Sequence, residues 1–187
     1  MDNKKAIKKI ALSSVLIAIG VGFGYLLSGI PNIELITLTI FIAGYSLGAI
    51  YGSSCGAMIW IIYGAFNPFG MAPLPIFAAQ IIAGAFIGIF GAIAYRIIKN
   101  IKERYLRILI FAFSGAFLTL FYQILINSAS FISFGSKDTL IAYIIGGLSF
   151  ALLHIVSNTL IFSILIPPLE RLLSTLNDSQ NYSNRKD

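Results

Sequence analysis

The segment "RIIKNIKERYLR", residues Arg96–Arg107, separates two long apolar parts of the sequence. It contains five of the 13 Lys and Arg residues in a chain that is 58% hydrophobic and only 11% charged. A transmembrane helix needs about 20 apolar residues, so 187 residues can hold about six such helices with short connections. The sequence therefore predicts an all-α membrane protein with six transmembrane helices in one compact bundle.

Charged residues and turn formers on both sides of this segment divide the apolar sequence into spans. The predicted spans are about 7–29, 33–51, 55–66, 75–98, 106–127 and 139–166, followed by a polar tail at 177–187. The last span is long, so a tilted or broken helix is expected, with "GG" and "HIVSN" as places for irregularity. The first span follows basic residues, as a signal peptide does, but no convincing cleavage site is present, which favours a retained helix.

The distribution of positive charge predicts the orientation of the bundle. With six spans, twelve of the 13 Lys and Arg residues fall on one face, and only Lys137 falls on the other. The positive-inside rule places the basic face and both termini in the cytoplasm. The net charge of +6 is then a topological signal, helped by anionic lipid, and it requires no nucleic-acid partner.

This orientation places the proline-rich segment "FNPFGMAPLPIFAAQ", residues Phe66–Gln80, on the outer face. Its three prolines cannot belong to one regular helix. The segments "SGIPNIE" and "SASFISFGSKD" lie on the same face, whereas the short turn "YGSS" lies inside. The proline-rich segment is compatible with a simple turn, but the flanking polar side chains Asn67 and Gln80 favour a lid over a binding site.

Polar and aromatic side chains accumulate near the outer face. Polar groups inside a membrane are costly and often mark a function. A mixture of amides, one carboxylate and aromatic rings suits a small, flat organic ligand. The predicted substrate-binding residues are Asn32, Glu34, Trp60, Tyr63, Asn67, Gln80, Tyr122, Gln123, Asn127, His154 and Asn158.

Four of these residues have a structural alternative near the membrane surface. Asn32 can cap the second helix, with Glu34 favourable in the first turn of that helix. Tyr63 and Tyr122 can belong to an interfacial aromatic belt. The sequence is compatible with these structural roles and with ligand binding, so it does not decide between them.

Three further residues can have a purely structural role. Asn67 can satisfy backbone groups freed by Pro68, and His154 can pair with Asn158 across a break in the last helix. Gln80 lies more than one turn inside its span and needs a partner in the bundle or in a ligand.

The sequence contains no motif of a common enzyme class. It has no phosphate-binding loop, no nucleophile elbow, no H-E-x-x-H and no intramembrane carboxylate pair. A lone histidine is not a metal site, and the single cysteine, Cys55, cannot form an internal disulfide. We therefore expect no enzyme, no metal and no cofactor, and an ion-coupled transporter is not favoured.

Small residues recur at helical spacing in the first four spans. They are Ser14, Ala18, Gly20 and Gly24, then Gly44, Gly48, Gly52 and Gly56, and finally Gly84 and Gly88. Such patterns let membrane helices approach closely. Internal packing of the bundle explains these small residues. On the first span they are also compatible with a docking surface for another membrane protein.

The layout of the chain resembles the substrate-binding (S) component of energy-coupling factor transporters. The resemblance rests on the small-residue row before "IPNIELITLTIFIAGYSLGAIYG", on "NPFGMAPLPIFAAQ" and on "HIVSNTLIFSILIPPLERLL". It implies a multi-pass protein of a bacterial-type plasma membrane that captures a vitamin-like micronutrient outside the cell with high affinity. It also implies that a membrane T component and two cytoplasmic ATPases are partners that supply the energy of transport.

The resemblance also carries expectations about individual residues. In such proteins the first helix contacts the T component through an A-x-x-x-A motif, and the S component topples to bring its ligand to the inner face. The corresponding docking residues are Ala11, Ser14, Val15, Ala18 and Gly22. The family's substrate lies under the outer loops against the later helices, which favours Asn67, Gln80, Gln123, Asn127 and His154.

An alternative function belongs to a different class. Small six-span proteins can act as scaffolds of cell-envelope assembly, similar to the rod-shape protein MreD. A scaffold needs no occluded polar cavity and retains no small molecule. Bound ligand in the purified protein, or stabilisation by one vitamin, therefore separates the two functions.

Overall fold

The described part of the chain folds into six helices. The computed structural model describes residues 3–135 and 140–183. Its helices are α1 (Asn3–Leu26), α2 (Ile36–Leu47), α3 (Ala49–Ala65), α4 (Leu74–Ile98), α5 (Arg104–Phe134) and α6 (Leu140–Ser183). No strand occurs among these described residues, so the prediction of an all-α protein is confirmed.

Four helical segments are long and apolar enough to cross a membrane. They are Asn3–Leu26, Leu74–Ile98, Arg104–Phe134 and Phe150–Glu170. Helices α2 and α3 are also apolar but have only 12 and 17 residues, whereas a perpendicular span needs about 20. The number of membrane crossings and the cytoplasmic position of the termini therefore stay predictions.

The connection between α2 and α3 differs from the predicted one. The sequence predicted a turn at "GSS", but the chain turns at Gly48, which has a φ of 98°. Glycine adopts this left-handed conformation without steric cost. Ser53 is helical instead, and its hydroxyl donates to the Ile50 carbonyl at 3.0 Å. The two helices therefore form a hairpin joined by a single residue.

Glycines bring α2, α3 and α4 into backbone contact. A Cβ atom at Gly44 would lie 1.8 Å from the carbonyl oxygen of Gly88, and one at Gly56 would lie 2.0 Å from that of Gly84. No side chain fits at such distances, and small residues commonly allow this approach between membrane helices. We call this contact the glycine layer; it consists of Gly44, Gly52, Gly56, Gly84 and Gly88. In these helices the small-residue pattern is internal packing.

Helix α1 packs against the hairpin through one face. Gly20 faces the Ile59 side chain and Gly24 faces the ring of Tyr63. Further along this face, Cys55 is fully buried, with its thiol 3.8 Å from the carbonyl oxygen of Ser13. Cys55 thus serves as a small packing residue, and the opposite face of α1 remains exposed.

Helix α5 extends further than its predicted span of 106–127. It continues to Phe134, so the first part of "SASFISFGSKD" is helical rather than an irregular loop. The hydroxyl of Ser128 donates to the Ile124 carbonyl at 2.7 Å, and that of Ser133 donates to the Ala129 carbonyl at 2.8 Å. These serines satisfy their hydroxyls inside the helix. Lys137 lies outside the described residues.

Helix α6 is continuous where a break was expected. It runs from Leu140 to Ser183 with Pro167 and Pro168 inside it, and "GG" and "HIVSN" are both helical. It also includes most of the predicted polar tail, of which residues 184–187 lie outside the described part. The polar side chains of "HIVSN" find partners on other elements, so the helix does not need to open there.

Polar contacts connect α6 to α2 and α5 near Gly48. The Glu170 carboxylate accepts hydrogen bonds from the Tyr45 hydroxyl and from the Arg107 guanidinium. Lys9 Nζ donates to the Leu47 carbonyl at 3.0 Å. The end of the bundle around Gly48 is therefore rich in basic residues, whereas the predicted site residues lie toward the other end.

Candidate substrate-binding site

A cavity of about 290 Å³ lies at the end of the bundle opposite Gly48. Its walls come from the end of α1, the α1–α2 loop (residues 27–35), the start of α2, and α3, α5 and α6. Seven of the predicted binding residues line it. They are Asn32, Glu34, Trp60, Tyr63, Tyr122, Gln123 and His154. The fold therefore gathers residues that lie more than 100 positions apart in the sequence.

Aromatic rings form one side of the cavity. Trp60 and Tyr122 are stacked, with centroids 5.4 Å apart and an angle of 25° between the rings. Tyr63 meets Trp60 edge to face at 6.0 Å. The glycine layer positions this wall, because the Trp60 ring occupies the space that a side chain at Gly84 would need. The two tyrosines are thus wall residues of a cavity, whether or not they also lie at a membrane interface.

The carboxylate of Glu34 is the centre of a polar network opposite these rings. Its Oε2 accepts a hydrogen bond from the Thr37 backbone N–H at 2.8 Å. Its Oε1 accepts one from Asn158 Nδ2 at 2.9 Å and lies 3.5 Å from His154 Nε2. Asn158 Nδ2 also donates to Thr119 Oγ1 at 2.9 Å. Helices α2 and α6 therefore hold one carboxylate in a defined position, and α5 contacts Asn158 through Thr119.

His154 contacts Gln123 and Glu34 through its two ring nitrogens. Gln123 Nε2 lies 3.1 Å from His154 Nδ1, and an amide NH₂ group can only donate. With the Gln123 amide in this orientation Nδ1 is the acceptor, and Nε2 faces Glu34. The expected pairing of His154 with Asn158 is wrong, because each side chain bonds to residues of other elements. We call Glu34, Thr119, Gln123, His154 and Asn158 the polar network.

The environment of Glu34 keeps this group ionised. Burial raises the pKa of the Glu34 carboxyl, but the hydrogen bond and electrostatic attraction with His154 and the hydrogen bonds with Thr37 and Asn158 outweigh burial, so the pKa lies below its usual value. Hydrogen bonds to the charged form of an acid have this effect. The cavity therefore contains an ionised carboxylate at neutral pH.

The α1–α2 loop is anchored on α6. The hydroxyl of Ser157 donates to the Asn32 carbonyl at 2.6 Å. Asn32 itself has a φ of 61° and does not cap α2, which begins after Leu35 without a side-chain cap. Instead, Glu34 accepts the hydrogen bond from Thr37 in the first turn of the helix. This loop, which lines the cavity, is thus anchored on both α6 and α2.

The proline-rich segment, by contrast, contributes no residue to this cavity. Asn67 Oδ1 accepts a hydrogen bond from the Phe69 backbone N–H at 2.9 Å, which forms a local turn and is the structural alternative expected for Asn67. Phe66 is 72% exposed, and its carbonyl accepts a hydrogen bond from the Tyr25 hydroxyl. The α1–α2 loop, and not this segment, lines the cavity, and the role of the proline-rich segment as a lid stays a prediction.

Three other predicted residues also lie outside the cavity wall. Gln80 lies in α4 and contacts α3, with its Oε1 3.2 Å from the position of a Cβ atom at Gly64. Asn127 is exposed on α5, beside Gly147 of α6. Asn158 is fully buried behind Glu34, so its contact with the cavity is indirect.

Two residues of the site were missed in the sequence because threonine and serine are common inside helices. Thr119 lies four residues before Gln123, and Ser157 lies three residues after His154. Residues at these spacings share a helix face. Helical periodicity around Gln123 and His154 could therefore have identified both.

The predicted docking residues share the exposed surface of α1. Ala11, Ser14, Val15, Ala18 and Gly22 are all exposed. The buried residues of α1 are Ser13, Gly20 and Gly24, which face the hairpin. The two sets of small residues in α1 therefore serve different surfaces.

Comparison with known proteins identifies the family. The model of the family described as "ECF transporter, substrate-specific component" matches residues 8–166. No match was found among curated proteins or among solved structures. Components of this family are substrate-binding subunits rather than enzymes, they work with a T component and ATPases, and they are multi-pass proteins of the plasma membrane. The chain belongs to the family of substrate-specific components of energy-coupling factor (ECF) transporters, as its sequence layout indicated.

Proposed function

We propose that the protein captures a vitamin-like micronutrient outside the cell and binds it with high affinity in the cavity under the α1–α2 loop. A membrane T component and two cytoplasmic ATPases then drive its import. The observation that carries this proposal is the convergence of seven predicted residues around one cavity. A cavity lined by aromatic rings and a few polar groups is typical of small-molecule sites.

The orientation of the bundle supports capture from outside. Lys9, Arg96 and Lys99 surround Gly48 at the far end of the molecule. The positive-inside rule places this end in the cytoplasm. The cavity then faces the outside of the cell, and both termini lie inside.

The α1–α2 loop has contacts suited to closing over a ligand. It is held by the Ser157 hydroxyl and by the contacts of Glu34 with α6, and Leu35 at its end packs against the apolar core. A ligand between the rings and Glu34 adds contacts to both the loop and α5. Binding is therefore expected to order the loop and to stabilise the whole protein.

The exposed face of α1 is the proposed docking surface for the T component. It contains Ala11, Ser14, Val15, Ala18 and Gly22. Small side chains on this face let the backbone of a partner helix approach. Because none of these five residues lines the cavity, docking and substrate binding use separate parts of the protein.

A bulky residue on this face tests the docking surface. We expect Ala18→Trp to abolish uptake in cells that contain the complete transporter, while ligand binding by the purified protein stays within about twofold of the wild type. Ala78→Trp, at an exposed alanine of α4, is the matched control and should retain uptake. Loss of ligand binding in Ala18→Trp would contradict the assignment of this face.

Mass spectrometry of the purified protein tests the proposed function itself. Protein isolated from cells in rich medium should release one small organic compound on denaturation, and adding that compound back should raise the thermal unfolding temperature. A protein that retains no compound and is stabilised by no vitamin would instead favour the scaffold of cell-envelope assembly.

A further inference from the structure

The cavity has an unbalanced set of charged groups. Among the described residues that line it, Glu34 is the one carboxylate, and neither Lys nor Arg is present. His154 accepts a hydrogen bond from Gln123 at Nδ1, and its Nε2 faces Glu34 at 3.5 Å. A ligand that enters the cavity therefore meets one carboxylate and neither a Lys nor an Arg side chain.

Glu34 retains capacity for a ligand. A carboxylate has about four acceptor positions on its two oxygens, and the contacts of Glu34 are with Thr37, Asn158 and, at a longer distance, His154. Its side chain is also 21% exposed. The carboxylate is thus held in place from behind, with room for a further donor on the cavity side.

The aromatic wall selects for shape as well as charge. Trp60 and Tyr122 are nearly parallel, and Tyr63 stands at a steep angle to Trp60. Such surfaces bind flat rings, and a cation over the face of a Trp or Tyr ring gains further attraction. The volume of about 290 Å³ is at the lower end for organic ligands, which favours a small compound.

We infer, building on the proposed function, that the substrate is a small planar nitrogen heterocycle with a positive charge or ring N–H group that binds Glu34. We expect the cavity to disfavour a carboxylate or phosphate group, because such a group would meet Glu34 with neither Lys nor Arg on the cavity wall. The aromatic rings bind the flat part of the ligand, and Glu34 determines which charge on the ligand is preferred.

A panel of ring compounds that differ in charge tests this inference. Thermal unfolding of the full-length protein in detergent is measured with thiamine and pyridoxamine as cations, with nicotinamide as a neutral ring and with nicotinate as an anion. We expect a cation to give the largest stabilisation and nicotinate to give none. The largest stabilisation by nicotinate would overturn the inference and leave the proposed function intact.

A substitution of Glu34 tests whether this residue causes the preference for a positively charged ligand. Glu34→Gln keeps the size and one acceptor oxygen of the side chain, and it should weaken binding of the stabilising cation by about tenfold or more. Glu103→Gln, at an exposed glutamate before α5, is the control and should bind as the wild type does. Unchanged binding of the cation by a folded Glu34→Gln protein would overturn the role of Glu34.

The compound retained from rich medium separates the two proposals if the panel gives no stabilisation. A retained cationic heterocycle supports the inference, and a retained anionic or non-aromatic compound overturns it while the proposed function stands. If no compound is retained and none stabilises the protein, both proposals fail together.

Discussion

The glycine layer and the polar network differ in which atoms make their contacts. In the glycine layer, backbone atoms of α2, α3 and α4 touch each other and leave no room for side chains. In the polar network, side chains from distant parts of the chain hold one carboxylate through directional hydrogen bonds. The first arrangement tolerates almost no change in volume, whereas the second depends on donors and acceptors. The protein thus separates the part that fixes its shape from the part that meets a ligand.

The largest effect is expected from a methyl group in the glycine layer. Gly44→Ala places a Cβ atom 1.8 Å from the backbone oxygen of Gly88, which cannot rotate away. The helices must separate, and we expect a loss of at least about 3 kcal/mol, the upper end for overpacked sites. Size-exclusion profiles and thermal unfolding in detergent measure the loss.

A matched glycine provides the control for this substitution. Gly22 lies in α1 with no atom within 4 Å of the position of its Cβ atom, so Gly22→Ala should leave stability unchanged or slightly higher. Equal behaviour of the two variants would show that the contacts of the glycine layer do not determine the fold.

A smaller effect is expected from the polar network. Asn158→Leu removes the donor to both Glu34 and Thr119 and leaves the two acceptors short of a partner. We expect a cost of about 1–3 kcal/mol, measured as a lower unfolding temperature, together with weaker ligand binding. Asn127→Leu changes an exposed amide on α5 and should cost little. A variant Asn158→Leu as stable as Asn127→Leu would contradict the network.

The smallest effect on stability is expected from the contact that anchors the α1–α2 loop. Ser157→Ala removes one hydrogen bond to the Asn32 carbonyl, and we expect a cost of roughly 0.5–1.5 kcal/mol. Because this bond holds the loop rather than the core, hydrogen exchange in residues 27–35 should rise while the core stays protected. Ser163→Ala, which affects an exposed serine contact within α6, should leave the loop unchanged. Uniform loss of protection would contradict a local role.

Hydropathy and charge predicted the helices, because a membrane accepts few alternatives to a continuous apolar helix. They did not predict the turn at Gly48, since Gly48, Gly52 and the two serines between spans are all acceptable turn residues. The choice depends on Gly44 packing against Gly52, a contact between helices that local sequence does not contain. The extension of α5 was missed for a similar reason, because Ser128 and Ser133 bond within the helix.

The sequence predicted which residue types belong to the site, but not the direction in which each side chain points. Polar side chains in an apolar chain are conspicuous, so Glu34, Gln123 and His154 were identified. The sequence could not show that Asn67 turns back to its own backbone or that Asn158 lies behind the carboxylate. These outcomes depend on helix rotation and loop path, which are set by packing over the whole bundle.

The backbone contacts of the glycine layer have a consequence for how such a protein can diversify. Trp60 and Tyr63 are the side chains that α3 supplies to the cavity, and α4 supplies none. Mutations that change the cavity wall therefore fall mostly on the α1–α2 loop, α5 and α6, where they leave the interhelical spacing of α2, α3 and α4 untouched. The same arrangement of α2, α3 and α4 can in this way acquire new ligand preferences by a few substitutions, each of which leaves the protein stable.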